Sequence, residues 1–207
     1  MKSVLISIQP KWCELIAAGK KTVEVRKTKP KLETPFKVYI YCTNNGGSLH
    51  TGYGGLYYHK SNIGKNDCSC INGKVIGEFV CDEITMSFVG YNASGCPSYW
   101  DILDGTCLTP NELVCYGEWK TLYGWHISNL VIYDKPKELG EFFQYCGDNP
   151  NCDGCEAHYY RNTECGLEDY CCSIVDGCKP LKKPPQSWCY VKTVGNDKEE
   201  SEQVLVE

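Results

Sequence analysis

The segment Gly19-Lys20-Lys21-Thr22-Val23-Glu24-Val25-Arg26 sets a lysine, a carboxylate and a guanidinium at close spacing. A lysine screened from water can lose its proton and act as a base or activator, whereas a charged one holds a phosphate or a carbonyl. Glu24 attracts the charged form of its neighbour, which favours binding over base chemistry. Lys21 and Glu24 are therefore the catalytic candidates if the chain is an enzyme, and Lys21 and Arg26 the ligand-binding ones. Glu24 and Arg26 also read as an ion pair on an exposed strand face. Lys11, Trp12, Trp125, His126, Gln186 and Ser187 add a cation, two stacking faces, an imidazole, an amide and a hydroxyl. Bases stack on aromatic faces for about 1–3 kcal/mol each. A tryptophan in a strand is more often core, and a lone histidine more often a hydrogen-bonded structural group.

A second chemistry lies in seven cysteines crowded into thirty-three residues, from Cys146 to Cys178. Cys152-Asp153-Gly154-Cys155 has the spacing of a zinc knuckle, and Gly154 allows the tight turn that brings two thiolates onto one ion. Cys165 and one of Cys171 or Cys172 supply the remaining ligands, with Cys172 taken as the fourth and His158 as a weaker candidate. Four thiolates and no open position describe a structural zinc, which would fold a polar excursion that has little apolar mass of its own. Cys13, Cys42, Cys81 and Cys189 lie in strands or a helix and read as buried free thiols. A redox role for the C-x-x-C pair lacks the surrounding strand-helix-strand pattern.

These residues must be positioned by short elements. Val4–Ile8 is β-branched and reads as a strand. Pro10 suits the first turn of a helix whose apolar face is Trp12, Cys13, Leu15, Ile16 and Ala17, and Gly19 is placed for a left-handed cap. Lys20 and Lys21 would then complement the helix dipole. Strict alternation makes Thr22–Arg26 a strand with Val23 and Val25 on one face and Thr22, Glu24 and Arg26 on the other. Further strands are predicted at Phe36–Cys42, Lys74–Ile84, Trp125–Tyr133 and Trp188–Val191, with helices opening at Thr109-Pro110-Asn111-Glu112 and at Lys135–Phe143. Residues 43–73 read as a long excursion with one hairpin, and 85–124 as loops around the short helix. Five or six strands without a strand-helix-strand rhythm predict an α+β, mainly β chain closed as a barrel.

Gly19, Lys21, Glu24 and Arg26 resemble the G-x-K-x-x-E-x-R motif of the ASCH superfamily, relatives of the PUA RNA-binding fold. Ser7-Ile8-Gln9-Pro10-Lys11-Trp12 is similar to that family's passage from first strand to helix. Gly124-Trp125-His126-Ile127 and Pro185-Gln186-Ser187-Trp188-Cys189-Tyr190 resemble late-strand motifs of a bacterial and phage-associated branch. The resemblance implies a PUA-like β-barrel with short flanking helices, here with a cysteine-rich zinc-binding insertion. It also implies binding of RNA or of a nucleotide or modified nucleoside. Some small members are amidohydrolases acting on acylated cytidine through a lysine, a threonine and a glutamate. Lys21 matches that lysine, but the threonine position is Glu24 here, and a carboxylate does not replace a hydroxyl nucleophile. A protein-interaction module from a mobile element, with its interface on 43–73 and 85–124, is the third reading.

Composition bounds these readings. The 207 residues carry a net charge of −5, but residues 1–37 hold nine Lys/Arg against three Asp/Glu and residues 138–207 six against fourteen. The N-terminal part could therefore meet phosphate while the rest keeps the chain soluble. No run of about eighteen apolar residues exists, so no membrane-spanning helix is expected. The start of the chain lacks the pattern of a secretory signal, which predicts a cytoplasmic protein with reduced thiols. Residues 1–192 read as a single domain with insertions at about 43–73, 85–124 and 144–180, and 193–207 as an acidic tail.

Overall fold

The computed structural model describes residues 2–61, 64, 66–99, 102–144 and 180–193. The chain begins with strand β1 (Ser3–Ile8), helix α1 (Pro10–Ala17), β2 (Val23–Arg26) and β3 (Phe36–Cys42). A hairpin follows from β4 (Ser48–Gly52) and β5 (Gly55–His59), then β6 (Lys74–Cys81), β7 (Ile84–Phe88) and the short β8 (Gly90–Tyr91) and β9 (Pro97–Ser98). Helix α2 (Pro110–Gly117) precedes β10 (Thr121–His126), β11 (Ser128–Glu138), β12 (Phe142–Gln144) and β13 (Trp188–Thr193). Among the described residues the fold is mainly β, as expected, with two α-helices. Its described strands form four sheets, and no barrel closes among them.

The largest sheet has the order β11-β6-β3-β1-β13-β12. Only β1 and β3 pair in parallel, with α1 and β2 in the connection between them. Every residue of β1 is buried, and its alternation divides two cores. Val4, Ile6 and Ile8 join Val38, Ile40, Ile76 and Phe79 on one face, where Cys13 and Ile16 of α1 cover them. Leu5 meets Tyr39, Tyr41, Val75 and Phe142 on the other. A strand buried on both faces reads as a near-continuous apolar run, which is what Val4–Ile8 shows, broken only by Ser7. The pairing of β3 with β6 skips Ile76, since Ile40 faces Gly77 and Tyr41 faces Val75. Gly77 is required at that irregularity because a Cβ there would lie 2.4 Å from the Val131 carbonyl.

The second sheet, β2-β10-β7, holds the motif strand at one edge. Its far face packs on α2 through Val25, Leu113 and Leu122, with Val89 and Ile102 between them. The capping box at the start of α2 forms as expected: the Thr109 hydroxyl accepts from Glu112 N at 3.2 Å and Glu112 accepts from Thr109 N at 2.8 Å. Ile127 N donates to Thr22 O at 2.9 Å where the chain passes from β10 into β11, tying the two sheets together.

Three expected elements differ. The strand expected at Lys74–Ile84 stops at Cys81, and β7 begins a second strand in another sheet. His126 N fixes the break by donating to Glu83 O at 3.0 Å. The strand expected at Trp125–Tyr133 divides at Ile127 for the same reason, its two parts belonging to different sheets. The helix expected at Lys135–Phe143 is the end of β11, a single 3-10 turn at Leu139–Glu141 and β12. Pro136 is tolerated because β11 is an edge strand and its register against β6 shifts between Ile132 and Lys137. The hairpin within 43–73 is present as β4 and β5. The cysteine-rich stretch with Cys152, Cys155, Cys165 and Cys172, and the tail from 195, lie outside the described residues.

Candidate functional site

The turn between α1 and β2 builds the site. Gly19 N donates to Ile16 O and Lys20 N to Leu15 O, both at 2.9 Å, and Gly19 has φ +68°. That is a Schellman cap, in which a left-handed glycine reverses the chain at the helix end. Lys21 N also donates to Leu15 O at 3.0 Å, so Lys21 does not extend into solvent beyond the helix. Its side chain turns inward and is 3% exposed.

Lys21 Nζ donates to the carbonyls of Val23 at 2.8 Å and Thr106 at 2.7 Å, and lies 3.4 Å from Glu24 Oε2. Two hydrogens of the ammonium group are thus used on carbonyls, and its charge is paired with Glu24. Glu24 Oε1 lies 2.9 Å from Arg26 Nη2, which also donates to the Ser7 carbonyl at 2.6 Å. Glu24 and Arg26 are 6% and 9% exposed, so the ion pair expected on a solvent-facing strand is instead a buried triad of two cations sharing one carboxylate. Arg26 Nε has no partner.

The triad lines a cleft of about 240 Å³ with Ser7, Ile8, Gln9, Trp12, Val25, Leu108 and Tyr116. Trp12 is half-buried, with Lys21 Nζ 5.2 Å and Lys11 Nζ 4.4 Å from its ring centre. Its lining is mostly apolar, with the triad supplying charge. Two elements outside the motif complete the walls. The loop before α2 is stitched to β2 by Thr22 N and Val23 N donating to Gly105 O, which brings Thr106 over Lys21 and Leu108 to the rim. Tyr116 comes from α2, the helix whose Leu113 packs on the sheet. Thr106, Leu108 and Tyr116 were not among the sequence-predicted site residues. The capping box at Thr109 marks where α2 starts, but nothing local says which strand the helix covers.

The remaining candidates separate. Trp12, Lys21, Glu24 and Arg26 come together at the cleft, with Lys11 on the exposed side of Trp12's helix. Trp125 is wholly buried, with Phe36 edge-on at 5.9 Å and Trp188 at 6.0 Å, and is core. His126 does not line the cleft; its Nδ1 pairs with Asp82 at 2.7 Å, and that hydrogen bond holds the Asp82 carboxyl below its ordinary value. Gln186 is exposed. The segment around it instead fastens β1: Ser7 Oγ donates to Pro185 O at 2.7 Å and Ser7 N to Ser187 O at 2.9 Å.

The described cysteines are free thiols. Burial raises the Cys13 thiol, helped by its neighbour Cys42, and pushes Cys81 up to about 12. Among the described residues no group of three or more His, Cys, Asp or Glu could hold a metal ion. No described helix is long and apolar enough to cross a membrane.

Comparison with curated proteins gives no match. Among solved structures, the crystal structure of ASCH from Zymomonas mobilis is similar over 66% of this chain and 73% of that one, at 19% identity and a TM-score of 0.43. A Tyr-to-Phe variant of the same protein matches over 67% and 77%, at 17% identity and a TM-score of 0.42. The ASCH domain family model matches residues 6–94. Lys21, Glu24 and Arg26 fall inside that segment, which is similar to the ASCH domain.

Proposed function

We propose that the cleft binds one base of an RNA, or a nucleotide or modified nucleoside, by its edge and faces. The ASCH family is thought to bind RNA. The observation that carries the narrower reading is how Lys21 is held: it is 3% exposed, donates to Val23 O and Thr106 O, and its ammonium pairs with Glu24 at 3.4 Å. A lysine so buried, with two hydrogens on carbonyls and its charge paired, is poorly placed to hold a phosphate. What the cleft offers a ligand is the unused acceptor capacity of Glu24 and the rings of Trp12 and Tyr116. A carboxylate takes about four hydrogen bonds in all, so Glu24 can still accept from an amino or ring N–H.

The alternative, hydrolysis of an acylated nucleoside, would ask Lys21 and Glu24 to activate a nucleophile. The Ser7 hydroxyl at the cleft gives its hydrogen to Pro185 O, and Lys21 would have to leave two carbonyls. The arrangement favours binding. Calorimetric titration with nucleosides tests it: Trp12→Leu and Tyr116→Leu each weaken binding about fivefold or more, the worth of a lost stacking face. Unchanged affinity in both variants, or no binding of any nucleoside by the parent protein, counts against this reading.

Cys152, Cys155, Cys165 and Cys172 are proposed to hold a structural zinc in a cytoplasmic protein. Elemental analysis of the full chain is the check, and well under one zinc per chain rejects the site.

A further inference from the structure

The face of the small sheet that carries the triad continues past the cleft into exposed rings. Directly opposed residues on antiparallel strands share a face. Arg26 opposes Tyr123, Tyr123 opposes Met86, and Thr121 opposes Phe88. One face of β2-β10-β7 therefore runs from Glu24 and Arg26 through Tyr123 to Met86 and Phe88. Met86 is 67% and Phe88 54% exposed, at an edge strand. Phe88 and Trp119 crowd together over Gly90, where a Cβ would lie 2.7 Å from the Trp119 ring and 3.5 Å from the Phe88 ring. Trp119 is 58% exposed, and its ring centre lies 5.8 Å from that of Tyr91.

Backbone strain holds that indole in place. Glu118 and Trp119 have φ +50° and +61°, a left-handed pair with no glycine in it. Such conformations cost free energy in residues with side chains and cluster where function requires them. Here they hold an indole in water just past the end of α2, three residues beyond the cleft residue Tyr116. Cations border the rings between cleft and patch: Lys27 Nζ is 5.2 Å from the Tyr116 ring centre and Lys29 Nζ 5.8 Å from that of Tyr123.

We infer that Met86, Phe88, Tyr91 and Trp119 form a stacking platform for the unpaired bases that flank the one in the cleft, in a single-stranded RNA. The inference rests on the base-binding reading of the cleft. Two features select this occupant over a protein. Met86 and Phe88 share a sheet face with the triad, Trp119 and Tyr91 border them, and the basic run Lys27, Lys29 and Lys31 follows the motif strand, with Lys27 paired to Glu118 at 2.9 Å. Protein-binding surfaces are depleted in lysine, whereas single-strand grooves combine aromatic rings with cations.

The test compares a labelled, mixed-sequence single-stranded RNA of about eight nucleotides with mononucleotides, on the full chain at low salt. Phe88→Ser and Trp119→Ser should each weaken the longer RNA about fivefold or more and leave mononucleotide binding unchanged, while Phe88→Tyr keeps the parent affinity. Equal binding of the longer RNA by parent and both Ser variants overturns the platform, as does a longer RNA that binds no tighter than a mononucleotide. So does loss of self-association or of a protein partner in the variants with RNA binding intact. If mononucleotides fail to bind but the longer RNA still depends on Phe88 and Trp119, the cleft reading falls and the platform stands.

Discussion

Glu24 lies between two cations that have no other acid within reach of an ion pair among the described residues: Lys21 at 3.4 Å and Arg26 at 2.9 Å. Removing it would leave two buried positive charges facing each other. Glu24→Ala should therefore destabilise the protein by about 3–5 kcal/mol, read from urea unfolding; a loss under about 1 kcal/mol would mean that water solvates the triad. The types and spacing of these residues were legible in the sequence, because a strand period of two places Glu24 and Arg26 on one side. Their burial was not. It depends on Thr106 and Ser7, whose carbonyls come from segments 85 and 19 residues away from Lys21 and Arg26. Trp125 shows the converse. Its type allowed a stacking surface or, more commonly, core, and its place between Phe36 and Trp188 makes it core.

At the scale of elements, the cap at Gly19 decides where Lys21 goes. No atom crowds a Cβ at this position, so only its φ of +68° opposes a side chain. Gly19→Ala should cost about 1–2 kcal/mol in thermal or urea unfolding, the ordinary penalty for a left-handed L-residue. A neutral substitution would mean that the turn can be rebuilt without that conformation. The helix start at Pro10, the cap and the box at Thr109 were all readable, because each is a local contest over backbone hydrogen bonds. Segments 74–88 and 121–138 were harder. In each, one apolar run serves two sheets, and the change of sheet at Glu83 and Ile127 is written in backbone hydrogen bonds, not in side-chain pattern.

For the whole molecule, acid should weaken the fold. Burial alone would raise Glu78, but the hydrogen bonds from Tyr133 and Lys37 outweigh it and hold the carboxyl below its ordinary value; Asp82 is held low by His126. A carboxyl depressed in the folded chain adds stability above its unfolded value, and this is lost as pH falls through the folded one. The thermal midpoint should drop from about pH 5 downward, and Glu78→Gln should flatten part of that slope; an unaltered slope would place the acid sensitivity elsewhere. The mainly β class was legible from the strands, while the pairing of thirteen of them into four sheets depends on contacts distant in sequence. The central claim is that the cleft beside Lys21 recognises a base and not a phosphate. Nucleoside and nucleotide binding to the parent protein, measured across a salt series, tests it most directly. The account predicts that nucleosides lacking phosphate bind and that their affinity changes little with salt. Binding confined to phosphorylated ligands, falling steeply as salt rises, would contradict it.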